Sequence, residues 1–238
     1  MGIDLLSTHG KTCNFDCVYC QLGRTAHPFA GRSEFVPIAE LTRELENARD
    51  VAADYLTFSG MGEPTLASNL GQAIESARSI LHLPVAVLTN SSLMSREDVC
   101  DDLAKADVVV AKADAHNQET FDQVNRPLTG LLLSDVIKGI GLFRSRFKGK
   151  LCLQIMFIEA NRDFAREIAE VASSLLPDEV QLNTPLRPCA VKPLNPSQMD
   201  SIRREFENLG NVISVYQAHR PEVTPLNPSE TSRRRPGL

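Results

Sequence analysis

Six short apolar runs, each followed by a helical pattern, constrain the fold of this chain more than any other feature. They lie near 2–6 (GIDLL), 55–59 (YLTFS), 85–89 (VAVLT), 107–113 (DVVVAKA), 151–158 (LCLQIMFI) and 179–183 (EVQLN). Near-continuous apolar runs of this length suit strands of a parallel sheet buried on both faces. Between them, Ile38, Leu41, Leu45 and Ala48 share one helical face, as do Leu70, Ile74, Ala77 and Leu81. Ser95 and Asp98 have the spacing of a capping box ahead of a helix through Leu103. Asn117 is expected to cap a helix through Val124, and Ser134 one running to about Phe147. Asp163 or Phe164 starts a helix that Pro177 ends, and residues 196–208 supply the last. Such alternation gives a parallel sheet with right-handed crossovers. Eight units close a barrel, and six leave it open on one side. The expected class is α/β, a partial (β/α)6 barrel of parallel strands with outer helices.

The 238 residues are enough for one such domain with a sizeable core. The barrel is expected over 1–217. Residues 218–238, rich in Pro, Ser and Arg and including Arg233, Arg234 and Arg235, read as a tail or linker. No apolar run approaches the roughly 20 residues that cross a bilayer. The first residues, MGIDLLSTHGKTC, lack the regions of a signal peptide. The expected location is the cytoplasm, without membrane association. There, six cysteines read as metal or catalytic groups rather than disulfides. A net charge of −5 argues against a general nucleic-acid coat. One folded RNA remains compatible, since a local basic patch suffices.

The sharpest motif is Cys13-Asn-Phe-Asp-Cys17-Val-Tyr-Cys20. Three thiols this close cannot share one strand or helix face, so they imply a loop wrapped around something. Four cysteines saturate a [4Fe–4S] cluster; three leave one iron open to a substrate. The loop follows the first expected strand, at the end of the barrel where active sites sit. Phe15 and Tyr19 are expected to shield the site from water. Structural zinc is the alternative, and it needs a fourth ligand such as His9 or His27.

C-x3-C-x2-C with an aromatic before the last Cys resembles the signature of the radical S-adenosylmethionine superfamily. The wider stretch GIDLL…KTCNFDCVYCQLG resembles an Fe–S oxidoreductase branch grouped with wybutosine-tRNA biosynthesis enzymes, over about residues 2–215. The resemblance implies a [4Fe–4S] cluster on Cys13, Cys17 and Cys20 whose free iron chelates S-adenosylmethionine. One electron then splits the sulfonium, and a 5′-deoxyadenosyl radical abstracts a substrate hydrogen. It implies as partners a tRNA or modified nucleoside and a low-potential donor such as ferredoxin or flavodoxin.

Further candidates follow the strands. Gly60, Met61, Gly62 and Glu63, with Pro64, resemble the family's Gly-Gly-Glu-Pro segment, which holds the methionyl amino group; Met61 stands where its first Gly would be. Glycines admit close backbone approach, and Glu63 is suited to an ammonium; a plain strand-to-helix turn has the same composition. Thr89 and Asn90, with Ser91 and Ser92, end the third strand as Thr-Asn-Gly does in the family, or simply form a turn. Lys112, Asp114 and His116 end the fourth, where the resemblance implies that Asp114 contacts the ribose. His116 and Arg126 read as surface groups. Glu159 and Asn161 end the fifth strand, and Asn183 and Thr184 at the sixth are further cofactor-binding candidates. Cys189 is the one catalytic candidate, a redox thiol or radical relay, unless it is an inert cysteine. Cys100 and Cys152 read as core.

Two other functions fit the motif. A glycyl-radical activase would act on a protein backbone, though Met61 and the GIDLL lead-in suit it less well. A non-catalytic iron–sulfur electron carrier or sensor would need neither an open iron nor an adenosine pocket.

Overall fold

The computed structural model describes residues 1–128, 130–219 and 228. The chain begins with β1 (Gly2–Ile3), β2 (Lys11–Cys13), β3 (Thr25–Pro28), α1 (Ile38–Asn47), β4 (Leu56–Phe58), α2 (Leu70–Leu81) and β5 (Val85–Thr89). It continues through α3 (Glu97–Leu103), β6 (Val108–Lys112), α4 (Gln118–Val124), α5 (Leu133–Arg144) and β7 (Lys150–Met156). Last come α6 (Ala165–Ser174), β8 (Glu179–Asn183), α7 (Pro196–Glu205) and β9 (Val212–Ser214).

Seven strands form one wholly parallel sheet in the order β1-β4-β5-β6-β7-β8-β9. Each strand of that sheet lies beside its predecessor. Crossovers of constant hand then put all helices on one face, as in a barrel wall and unlike a doubly wound sheet. The expected α/β architecture with a parallel sheet is therefore present. The helix-facing side is dry: Phe58, Val87, Val109, Leu153 and Leu182 are fully buried against residues such as Leu70, Ile74 and Ile140. Each such side chain contributes about 1.5–3 kcal/mol over exposure. The opposite side is more polar. Lys112, Gln154 and Gln181 stand in register across β6, β7 and β8, all half-buried.

All six expected strands form. The first is shorter than its apolar run, because Asp4 Oδ1 accepts from the backbone N–H groups of Leu6 (3.0 Å) and Ser7 (3.2 Å). That side-chain turn takes the chain out of the ladder. β9 and the parallel pair β2–β3 were not expected, and all three are too short to show a run.

Asn117 caps α4 as expected, its Oδ1 accepting from Thr120 N–H at 2.9 Å. The capping box of Ser95 and Asp98 does not form: Arg96 is the N-cap of α3. The Asp98 carboxylate is instead taken by the guanidinium groups of Arg96 and Arg32. Nor does Ser134 cap α5, which opens two residues earlier, with Leu132 at its N-cap.

Among the described residues no helix is long and apolar enough to cross a membrane. The proposed tail lies, from residue 220 on and except for Pro228, outside the described residues, as do Arg233, Arg234 and Arg235.

Candidate functional site

Because the strands are parallel, the segments that follow them gather at one edge of the sheet. The cysteine loop lies across this edge. β2 brings in Lys11, Thr12 and Cys13, all buried, and the chain turns at Cys17 and Cys20, with Cys20 N–H donating to the Cys17 carbonyl at 3.1 Å. The loop then runs along the segment after α4. Asp16 N–H donates to the Arg126 carbonyl (3.0 Å), Val18 N–H to that of Val124 (3.0 Å), and Leu128 N–H to that of Asn14 (2.8 Å). Phe15 turns into the core, edge-on to Phe121 with ring centroids 5.3 Å apart. Tyr19 is buried too, and its hydroxyl donates to Asp114.

The segment after β4 supports the loop from the other side. Thr12 N–H donates to the Met61 carbonyl at 2.8 Å, and Glu63 N–H to the Thr12 carbonyl at 3.3 Å. A Cβ on Gly62 would overlap the Thr12 carbonyl oxygen, and one on Gly60 would overlap the Asp4 carboxylate. Both glycines thus permit a close approach, and the group approached is the protein itself. Met61 N–H completes this seam with a bond to Asp4 Oδ2 at 3.1 Å. Glu63 is buried within a cage of donors. Its Oε1 accepts from Thr65 N–H (3.1 Å), Thr65 Oγ1 (2.7 Å) and Thr89 Oγ1 (2.7 Å), and its Oε2 from Asn90 N–H (2.6 Å). Burial pushes its carboxyl up from the usual value, and the donors only partly counter this.

The other expected site residues gather at the same edge. The Asn90 amide donates to Asn14 Oδ1 (2.7 Å) and reaches Cys13 Sγ (3.7 Å). Asp114 is fully engaged: Oδ1 accepts from Met156 N–H (2.7 Å), and Oδ2 from Asn125 (2.7 Å) and Tyr19. Thr184 Oγ1 accepts from Leu194 N–H at 2.8 Å. Asn183 is half-buried, and its side chain makes no hydrogen bond among the described residues. Cys189 donates to the Val191 carbonyl (3.2 Å) and packs in the small apolar cluster that includes Cys17 and Tyr19. Arg126 is exposed, His116 packs tilted against Phe164 with centroids 4.7 Å apart, and Cys100 and Cys152 are core.

Three contributors went unread in the sequence: Asn14, Asn125 and Lys11. None carried a sequence signal: β2, which brings Lys11 to the loop, is too short to show a run.

Electrostatics at the loop is unusual. Burial pushes the Cys13 thiol up to about 12 and the Cys17 thiol up to about 11, while the charge of Lys11 opposes the rise at both. The Lys11 ammonium is itself buried and has no hydrogen-bond partner among the described residues. A buried cation needs an anion, and an iron–sulfur core carried by thiolates is one. Among the described residues no three His, Cys, Asp or Glu side chains converge to hold a single ion. Three thiols are the donor chemistry of an iron–sulfur cluster. The donor set and the orphaned ammonium fit the cluster.

A profile described as the Radical SAM superfamily matches residues 7–172, and the chain belongs to that superfamily. Its cofactors are accordingly a [4Fe–4S] cluster and S-adenosylmethionine. The chain is similar to the UPF0026 protein slr1464 of Synechocystis sp., at 36% identity over 222 residues, 93% of this chain and 79% of that one. Among solved structures it resembles Streptococcus suis SuiB bound to S-adenosylmethionine (TM-score 0.67, 14% identity), covering 87% of this chain and 48% of SuiB. It also resembles native anSMEcpe with bound AdoMet (TM-score 0.66, 18% identity), covering 90% of this chain and 63% of the other. The chain thus spans about half of SuiB, and these two likenesses concern the fold.

Proposed function

We propose that Cys13, Cys17 and Cys20 hold three irons of the cluster, leaving the fourth to S-adenosylmethionine, and that the protein is a cytoplasmic radical enzyme acting on a nucleoside of an RNA. One observation carries the reading: three thiols, and a buried ammonium that has no partner among the described residues, lie together over the strand ends of a parallel sheet. Held by Cys13, Cys17 and Cys20, the cluster would supply the single electron needed for reductive cleavage of S-adenosylmethionine.

The chain's own residues bind, orient and exclude water. Among the described residues Glu63 Oε2 accepts only from Asn90 N–H, which leaves it a lone pair for the methionyl ammonium. Gly60, Met61 and Gly62 hold that carboxylate against the cysteine loop. Thr89 and Asn90 fix its two oxygens. Asn183, with no side-chain hydrogen bond among the described residues, is the group available to the ribose. Asp114 and Thr184 act one step back, by holding Tyr19 and Leu194. Phe15, Tyr19 and Val124 keep water from the loop.

The RNA reading draws on the half-buried row of Lys112, Gln154 and Gln181. Gln154 Nε2 donates to Gln181 Oε1 at 3.2 Å, and Lys112 Nζ lies 3.4 Å from Gln154 Oε1. Amide and ammonium groups in a row supply the donors and acceptors that base edges require. The electron would come from a low-potential donor such as ferredoxin or flavodoxin.

The test is anaerobic reconstitution of the full chain, reduction, and incubation with S-adenosylmethionine and deuterated nucleosides. Release of 5′-deoxyadenosine that depends on all three cysteines and carries label from one nucleoside supports the proposal. A fully iron-loaded protein that never cleaves S-adenosylmethionine overturns it.

A further inference from the structure

The ammonium of Lys11 matters beyond the fit of the loop. Lys11 is only 3% exposed, and its Nζ finds neither a hydrogen bond nor a carboxylate among the described residues. It lies in the same short strand as Cys13, two residues before it, and its charge acts on the thiols of both Cys13 and Cys17. The surrounding groups direct further positive charge density to the same sulfurs. Phe15 N–H lies 3.4 Å from Cys13 Sγ, Asn90 Nδ2 3.7 Å from it, and Asn125 Nδ2 3.8 Å from Cys17 Sγ. A lysine that is merely structural would snorkel to solvent or pair with an acid. This one does neither.

We propose that Lys11 is the built-in counter-ion of the cluster and sets its reduction potential, an inference that rests on the cluster assignment above. Reduction adds one electron to an anionic core. A fixed cation beside that core stabilises the reduced form over the oxidised one, so it raises the potential. Lys11 touches no reacting atom; it is a positioning residue acting through the cluster.

The experiment uses the full chain reconstituted with iron and sulfide, without S-adenosylmethionine, in a redox titration followed by electron paramagnetic resonance. Lys11→Met keeps the volume and removes the charge; Lys11→Arg keeps the charge. Lys11→Met is expected to lower the equilibrium constant for reduction at least tenfold, about 59 mV for one electron. Lys11→Arg should shift it far less.

A second readout separates charge from packing. Lys11→Met should raise the melting temperature of the cluster-free chain, which then no longer buries a lone cation, while reducing the gain in stability on cluster loading. Equal potentials for wild type and Lys11→Met would overturn the inference. A folded Lys11→Met that takes no iron, beside a Lys11→Arg that does, supports the counter-ion role. If wild type itself takes no cluster, it is the cluster assignment that fails.

Discussion

The hydroxyl of Tyr19 donates to the carboxylate of Asp114, joining the cysteine loop to the segment that leaves β6. Asp114 also receives Asn125 and the backbone N–H of Met156, so one buried acid ties the loop, the end of α4 and β7 together. Tyr19→Phe is expected to cost about 1.5–3 kcal/mol, as for a hydrogen bond to a charged group. Asp114→Ala should cost more, because it strands three buried donors. Urea denaturation of the cluster-free chain measures both, and a Tyr19→Phe variant as stable as wild type would refute the tie.

Gly62→Ala is expected to be severe. The added methyl overlaps the Thr12 carbonyl oxygen, which is backbone and cannot rotate away. The seam between Thr12, Met61 and Glu63 must open, at a cost of about 3 kcal/mol or more. Gly2→Ala, where nothing lies within 4 Å of the new atom, serves as the control and should change stability by at most about 0.5 kcal/mol. Thermal melts of the two variants decide it.

The sheet was legible because its central strands bury an apolar face completely, and Val85–Thr89 and Glu179–Asn183 match their expected runs residue for residue. The cysteine loop was legible as a set of ligands, but its supports were not. Asp114 is the instructive residue. The resemblance implied a ribose contact for it, and its side chain holds three donors from elements far apart in sequence. Periodicity does not encode such convergence. Likewise, Ser95 and Asp98 have capping-box spacing, but a distant guanidinium, Arg32, competes for the acid.

Arg32 is the next test. Only 7% of its side chain is exposed, and it donates to the carbonyls of Thr65 (3.0 Å) and Ala67 (2.7 Å), to Asp98 (2.9 Å), and to Asp102. It therefore clamps the segment after β3 to the turn that follows Glu63 and to α3. Removing one partner of a largely buried ion pair costs about 3–5 kcal/mol. Half-exposed Asp98 contributes little of this, so Arg32→Ala should sit near 3. Lys cannot reproduce a fork that serves two carbonyls and two acids. Arg32→Lys is thus expected to recover less than half of the loss in a urea titration; full recovery would show that charge alone matters.

The thiols impose a pH dependence on the cluster-free chain whose sign can be worked out. Burial holds Cys13 at about 12 and Cys17 at about 11, against an ordinary 9.0. Above pH 9 the unfolded chain releases protons that the folded chain keeps. The thiols' contribution to stability is therefore complete below pH 9 and drains away as pH rises through the folded values. From pH 8 to pH 10 each thiol should remove about 1.4 kcal/mol. Cys152, raised to about 11 by burial, adds a loss of the same sign. Cys13→Ser combined with Cys17→Ser should then abolish about two thirds of the fall, measured by urea denaturation at the two pH values. Loading the cluster should flatten the same slope in the unmutated chain, because coordinated thiolates carry no proton to retain. An unchanged slope in the double variant would mean that these thiols are not buried together in the folded loop.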